Sequence, residues 1–125
     1  ANDYMSSILS EYSETNGNMI ELIICNNDGM AEGAVSALQG AGYNTGDGKT
    51  IPVFGVDATD SAKQLINEGK MTGTIKQDAE GMASTIVNLV SSVKNGGNLM
   101  DNTSSFNVDE GVAKIRVPYA TYTGE

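Results

Sequence analysis

Residues 20–38 read IELIICNNDGMAEGAVSAL. A run of β-branched and large apolar residues (20–25) stops at the polar triplet Asn26-Asn27-Asp28. An apolar pattern of helical spacing follows through Met30, Ala34 and Leu38. A strand, a polar turn and a helix in that order form the unit from which parallel α/β sheets are built. The same unit recurs twice. IPVFGV (51–56) ends at Asp57 and leads into a helical pattern with Ala62, Leu65 and Ile66. MTGTIK (71–76) ends at Gln77-Asp78 and leads into one with Met82, Ile86, Leu89, Val90 and Val93. Three parallel strands would bring the polar turns to one edge of the sheet, the carboxyl edge, where open α/β sheets bind small ligands. Amides and carboxylates there both donate and accept hydrogen bonds, which suits a ligand with many hydroxyls.

Working outward, residues 2–14 carry Tyr4, Met5, Ile8, Leu9 and Tyr12 at helical spacing. Asp28 is expected to cap the helix after the first strand, Thr59 or Asp60 the second and Asp78 the third. Gly40 with Gly42, Gly69, and Gly96 with Gly97 are the expected stops. Asn44 to Lys49 (NTGDGK) reads as a flexible loop and lacks the spacing of a phosphate-binding loop. Residues 113–118 read as a last strand, paired with 105–108 in a hairpin. The order α-β-α-β-α-β-α-β(β) predicts a parallel sheet, and near-continuous apolar strands predict helices on both of its faces.

The chain has 125 residues, enough for one domain. Seven Lys and Arg against 16 Asp and Glu leave a formal charge of −9, which argues against a nucleic-acid partner because phosphate binding needs clustered cations. There is no histidine, hence neither the commonest general base nor the commonest zinc ligand. The lone Cys25 lies inside an apolar run and reads as a buried filler. No apolar run approaches the ~20 residues of a membrane-spanning helix. The chain opens in ANDYMSSILSEY, already helical in pattern and without an initiator methionine. It therefore reads as a fragment or processed product, and the missing targeting segment carries no information on location.

The segments at 20–38 and 51–83, with a late KIRVPY at 114–119, together resemble periplasmic sugar-binding proteins of the ribose/galactose type, most nearly the galactose/glucose type. Each motif is short; their order and spacing carry the likeness, 30 residues from Asn27 to Asp57 and 20 more to Gln77. The resemblance runs from about Ile20 to Tyr122 and implies a type I two-lobed binding fold that closes on a monosaccharide about a hinge. This chain matches only the C-terminal part of it. Residues 1–77 would belong to the C-terminal lobe, 78–110 to the other lobe, and 111–125 to a segment returning to the first. Such proteins deliver sugar to a membrane importer of the ABC type, and some to a chemoreceptor. They lie in the bacterial periplasm or on the cell surface as lipoproteins.

The resemblance implies site residues by position. Asn27 and Asp57 match sugar-binding residues, although an amide or carboxylate at a strand end also suits a turn or helix cap. Gln77 stands where the galactose/glucose type has asparagine and the ribose type has glutamine, and it lies near the hinge. Glu21 matches a glutamate of a calcium site whose remaining ligands lie upstream of this chain. Aromatic rings that sandwich the sugar have no counterpart here. A binding module needs no chemistry, in keeping with the absence of any nucleophile–base pair, and an enzyme is not expected. The effector-sensing core of a LacI-type repressor is the alternative. The apolar stripe of residues 78–95 is expected to pack on the chain's own sheet, on a second copy, or on a chain carrying the missing half.

Overall fold

The computed structural model describes residues 1–125 except 102, 104, 105, 110 and 113, together with the side chain of 107. The chain divides into two compact units. Residues 1–76 with 121–125 form the first, and residues 77–120 the second.

The first unit contains helices α1 (Asn2–Glu11), α2 (Asp28–Gly40) and α3 (Asp60–Asn67), and strands β1 (Ile23–Ile24), β2 (Val53–Val56) and β3 (Gly73–Lys76). A late strand, β6 (Ala120–Tyr122), completes a four-stranded sheet of order β1-β2-β3-β6. The β1–β2 and β2–β3 pairs are parallel, with Ile24 opposite Phe54 and Gly55 opposite Thr74. Each strand is shorter than its apolar run. The ladder lasts only where both neighbours are extended side by side.

In α2, Ala31, Ala34, Val35 and Leu38 are buried. That spacing of i, i+3, i+4 and i+7 is one face of a helix. It meets Met5 of α1, Val53 of β2, and Ala62 and Ile66 of α3 in one core. Ile8 and Leu9 of α1 pack against that core, whereas Tyr4 and Tyr12 of the same stripe are exposed. The parallel α/β class expected from the sequence holds. Within this unit helices α1, α2 and α3 share a single core. Burial alternates along β2: Val53 and Gly55 are buried, Phe54 and Val56 half-buried. In and beside β1, Leu22 is 50% and Ile24 76% exposed.

One loop departs from expectation. Asn44 is fully buried and anchors what reads as a flexible connection. Its Nδ2 donates to the carbonyls of Ile51 (2.8 Å) and Lys70 (3.0 Å), and its Oδ1 accepts from the Ile51 amide (2.9 Å). Its backbone is left-handed, at φ 52°, a conformation asparagine tolerates better than most residues. The amide thus ties the entry to β2 to the turn before β3. Residues 45–50 beyond it are exposed.

The second unit holds α4 (Ala79–Lys94) and an antiparallel hairpin of β4 (Asn107–Asp109) and β5 (Lys114–Arg116). Ser105 and Ala113, expected to open the hairpin strands, lie outside the described residues, as does Glu110 at the expected boundary. Residues 121–125 belong to the first unit, while β5 pairs with β4 within the second. On α4 the apolar stripe is largely exposed: Ile86, Val90 and Val93 are 61%, 62% and 54% exposed, and Leu89 is half-buried. Thr85 and Ser92 are buried instead. Thr85 donates to the Gly81 carbonyl at 2.7 Å, and Ser92 to that of Asp101 at 3.2 Å.

Replacing Asn44 with aspartate should destabilise the chain by about 3 kcal/mol, nearly as much as replacement with alanine, because a carboxylate would face two carbonyls and each orphaned buried group costs roughly 1–3 kcal/mol. Urea unfolding of both variants checks this. Near-wild-type stability of Asn44→Asp would show that only side-chain volume matters there.

Candidate functional site

The parallel register sets two of the three polar turns level. Ile24 lies opposite Phe54, so Asn27 and Asp57, each three residues further on, leave the sheet at matching positions. Asn27 lies where α2 begins, and the positive end of a helix dipole favours acceptor groups there.

Asn27, not Asp28, caps α2: its Oδ1 accepts the Met30 amide at 2.9 Å. This corrects the expectation for Asp28. The Asn27 amide nitrogen has no protein acceptor among the described residues, so this half-buried side chain keeps a donor for a ligand. Asp28 begins the helix and turns inward, fully buried. Its Oδ2 accepts the Thr59 amide at 2.8 Å and its Oδ1 the Thr74 hydroxyl at 2.6 Å. Nothing local in the sequence marks Asp28 or Thr74 for this bond, which joins residues 46 apart.

Asp57 closes β2 with its amide donating to the Ile75 carbonyl at 2.8 Å, and it is exposed. Its φ is 117°, and Ala58 follows at 54°. Two successive non-glycine residues in this region are unusual and cost free energy unless their surroundings hold them. Thr59, not Asp57, caps α3, its Oγ1 accepting the Ala62 amide at 3.2 Å.

Gln77 opens the second unit, half-buried, and its carbonyl accepts the Ala79 amide at 3.0 Å. Asp78 caps α4 as expected, through the Gly81 amide at 2.9 Å. Glu21 is exposed. No group of three or more His, Cys, Asp or Glu able to hold a metal gathers among the described residues, so these residues alone do not fit a calcium site. Tyr119 is exposed, and the Tyr122 hydroxyl donates to Asn67 Oδ1 at 3.1 Å.

The first unit's apolar depression beside β1, of about 480 Å³, includes Tyr4, Leu22, Ile24, Cys25 and Asn26 in its lining but neither Asn27 nor Asp57. Asp57 is exposed and Asn27 half-buried. Burial pushes the Cys25 thiol above its ordinary range, against a small opposing effect of the N-terminal charge.

The family model described as the periplasmic binding protein domain matches residues 1–98. The chain belongs to that family. It is 36% identical over 107 residues to the D-galactose/methyl-galactoside binding periplasmic protein of Haemophilus influenzae, a match covering 86% of this chain and 30% of the relative. A Bacillus halodurans ABC transporter solute binding protein with bound myo-inositol is 31% identical with a TM-score of 0.65, over 97% of this chain and 34% of the other. One from Actinobacillus succinogenes with bound D-allose is 25% identical with a TM-score of 0.68, over 95% and 35%. The family member described here thus spans about a third of the length of these relatives. They are periplasmic or solute-binding proteins by name, in line with the ribose/galactose type that the sequence resembles.

Two outcomes test this geometry. Gly55→Ala would drive a methyl group into the Asp28 carboxylate, with Ala31 Cβ 3.2 Å away, and should destabilise the chain by roughly 1–3 kcal/mol in denaturant unfolding. Cys25 should alkylate with iodoacetamide more slowly than an unstructured cysteine peptide at neutral pH. A raised thiol pKa leaves less thiolate there, and unfolding the chain should remove the difference.

Proposed function

We propose that this chain is part of the monosaccharide-binding component of a bacterial ABC-type sugar importer, acting outside the cytoplasmic membrane. In this reading Asn27 and Asp57 are sugar contacts, and Gln77 is one by its match in the sequence alone. What supports the reading is the parallel register: Asn27 and Asp57 each follow by three residues the opposed positions Ile24 and Phe54, which puts an amide and a carboxylate after the carboxyl ends of neighbouring strands. A carboxylate accepts hydrogen bonds from two adjacent hydroxyls, and charge-assisted bonds are roughly twice as strong as neutral ones. Binding needs only hydrogen bonds and closure, so no catalytic group is invoked.

The sugar is of the galactose or glucose kind by sequence likeness, and the relatives' galactose, allose and inositol all present rings of adjacent hydroxyls. Asn27 and Asp57 would give one side of a site. Its partner surface would come from a chain of the relatives' length, and this chain alone should bind sugar weakly.

Isothermal titration of galactose, glucose, ribose, allose and myo-inositol into the protein at its full gene-encoded length tests the proposal. One of them should bind at micromolar concentration or better. Asp57→Ala should weaken that binding by about 2–4 kcal/mol, the loss of charged hydrogen bonds to a buried ligand. Unchanged affinity would remove Asp57 from the site.

A further inference from the structure

The Asp57–Ala58 turn is strained twice over, with φ of 117° and 54° on residues that carry a Cβ. What holds it is visible in the bonds around it. The Asp28 carboxylate is fully buried, and no ion pair to it is present among the described residues. One of its oxygens takes the Thr59 amide, the first N–H after the strained pair, at 2.8 Å. The other takes the Thr74 hydroxyl at 2.6 Å, and Thr74 Oγ1 in turn accepts the Ala58 amide at 3.3 Å. Asp57's own amide goes to Ile75, the strand residue after Thr74. Asp28 and Thr74 thus grip the turn from two sides. Gly55 leaves the room that the carboxylate occupies.

We propose that Asp28 is a positioning residue for ligand binding: it touches no sugar but holds the left-handed turn from which Asp57 meets the ligand. The inference rests on the sugar-binding reading of Asp57. Asp28 acts on the turn's backbone, so loss of its second acceptor oxygen should let the turn relax toward ordinary dihedral angles. A strained turn of this kind stores of order 1–3 kcal/mol, which corresponds to a loss of roughly tenfold to a hundredfold in affinity when the held state is no longer favoured.

The test uses the full-length protein. Asp28→Asn should weaken monosaccharide binding by roughly tenfold to a hundredfold. It should also move the Ala58 and Thr59 amide resonances and change the backbone coupling constants of residues 57 and 58 in the sugar-free protein. Adding Ala58→Gly to Asp28→Asn should recover most of the lost affinity, because glycine adopts the left-handed conformation without a Cβ penalty. Ala58→Gly alone is the reference for that comparison. A merely structural Asp28 would lower stability without rescue by glycine. If Asp28→Asn fails to fold, Thr74→Val, which cuts the link to the Ala58 amide, takes its place with the same expected outcomes. Unchanged coupling constants, or lost affinity that glycine does not restore, would overturn the proposal. If Asp57→Ala leaves affinity intact while the coupling constants still respond to Asp28→Asn, the sugar-binding reading has failed and Asp28's hold on the turn has not.

Discussion

A carboxylate taken out of water must have its acceptor capacity filled from within, and the fully buried Asp28 meets that requirement with groups far off in sequence. It draws the Thr59 amide, 31 residues away, and the Thr74 hydroxyl, 46 away, to the start of α2. Three elements, α2, the β2–α3 turn and β3, are thereby locked together at the carboxyl end of the sheet. Glu32 adds an outer tie, accepting the Ser61 hydroxyl at 2.6 Å and the Thr59 hydroxyl at 3.3 Å. The apolar core of α1, α2 and α3 lies behind this polar clamp and supplies most of the burial, but it has no directional preference that would set the turns.

The polar edge follows from that arrangement. A parallel register leaves the ends of β1 and β2 level, and each strand hands over to a helix whose first turn presents unpaired N–H groups. Asn27 and Thr59 fill those with side-chain oxygens. The division of labour is economical in groups. One amide serves α2 through its oxygen and keeps its nitrogen, while Thr59 caps α3. The surface is one-sided, in keeping with a chain about a third as long as the binding proteins it matches.

In the second unit, apolar periodicity and burial part company. Residues 79–94 form a helix where the spacing of Met82, Ile86, Leu89, Val90 and Val93 requires one. Yet Ile86, Val90 and Val93 face water, and Thr85 and Ser92 are enclosed. Periodicity reports that a stripe exists along a helix; whether another layer covers it depends on what the rest of the fold brings there. Burying Thr85 is tolerable because its hydroxyl returns to a carbonyl of its own helix, which satisfies it without a tertiary partner.

By itself the sequence determined the order and type of the elements up to the hairpin, the parallel class, the cap at Asp78, and the turns that carry Asn27 and Asp57, but neither the choice of Thr59 over Asp60 nor the last strand, β6. Those are local properties: spacing of apolar side chains, reach of short polar side chains to nearby amides, and glycine where φ turns positive. Tertiary structure alone decided which of Asn27 and Asp28 caps α2, that Asn44 is an anchor inside an exposed loop, and that Asp57 and Ala58 sit in left-handed geometry. Each of those choices turns on a hydrogen-bond partner or a space supplied by residues distant in the chain. Asn and Asp have nearly the same reach, so the Thr59 amide, the Thr74 hydroxyl and the room at Gly55 make the inward carboxylate the better fit.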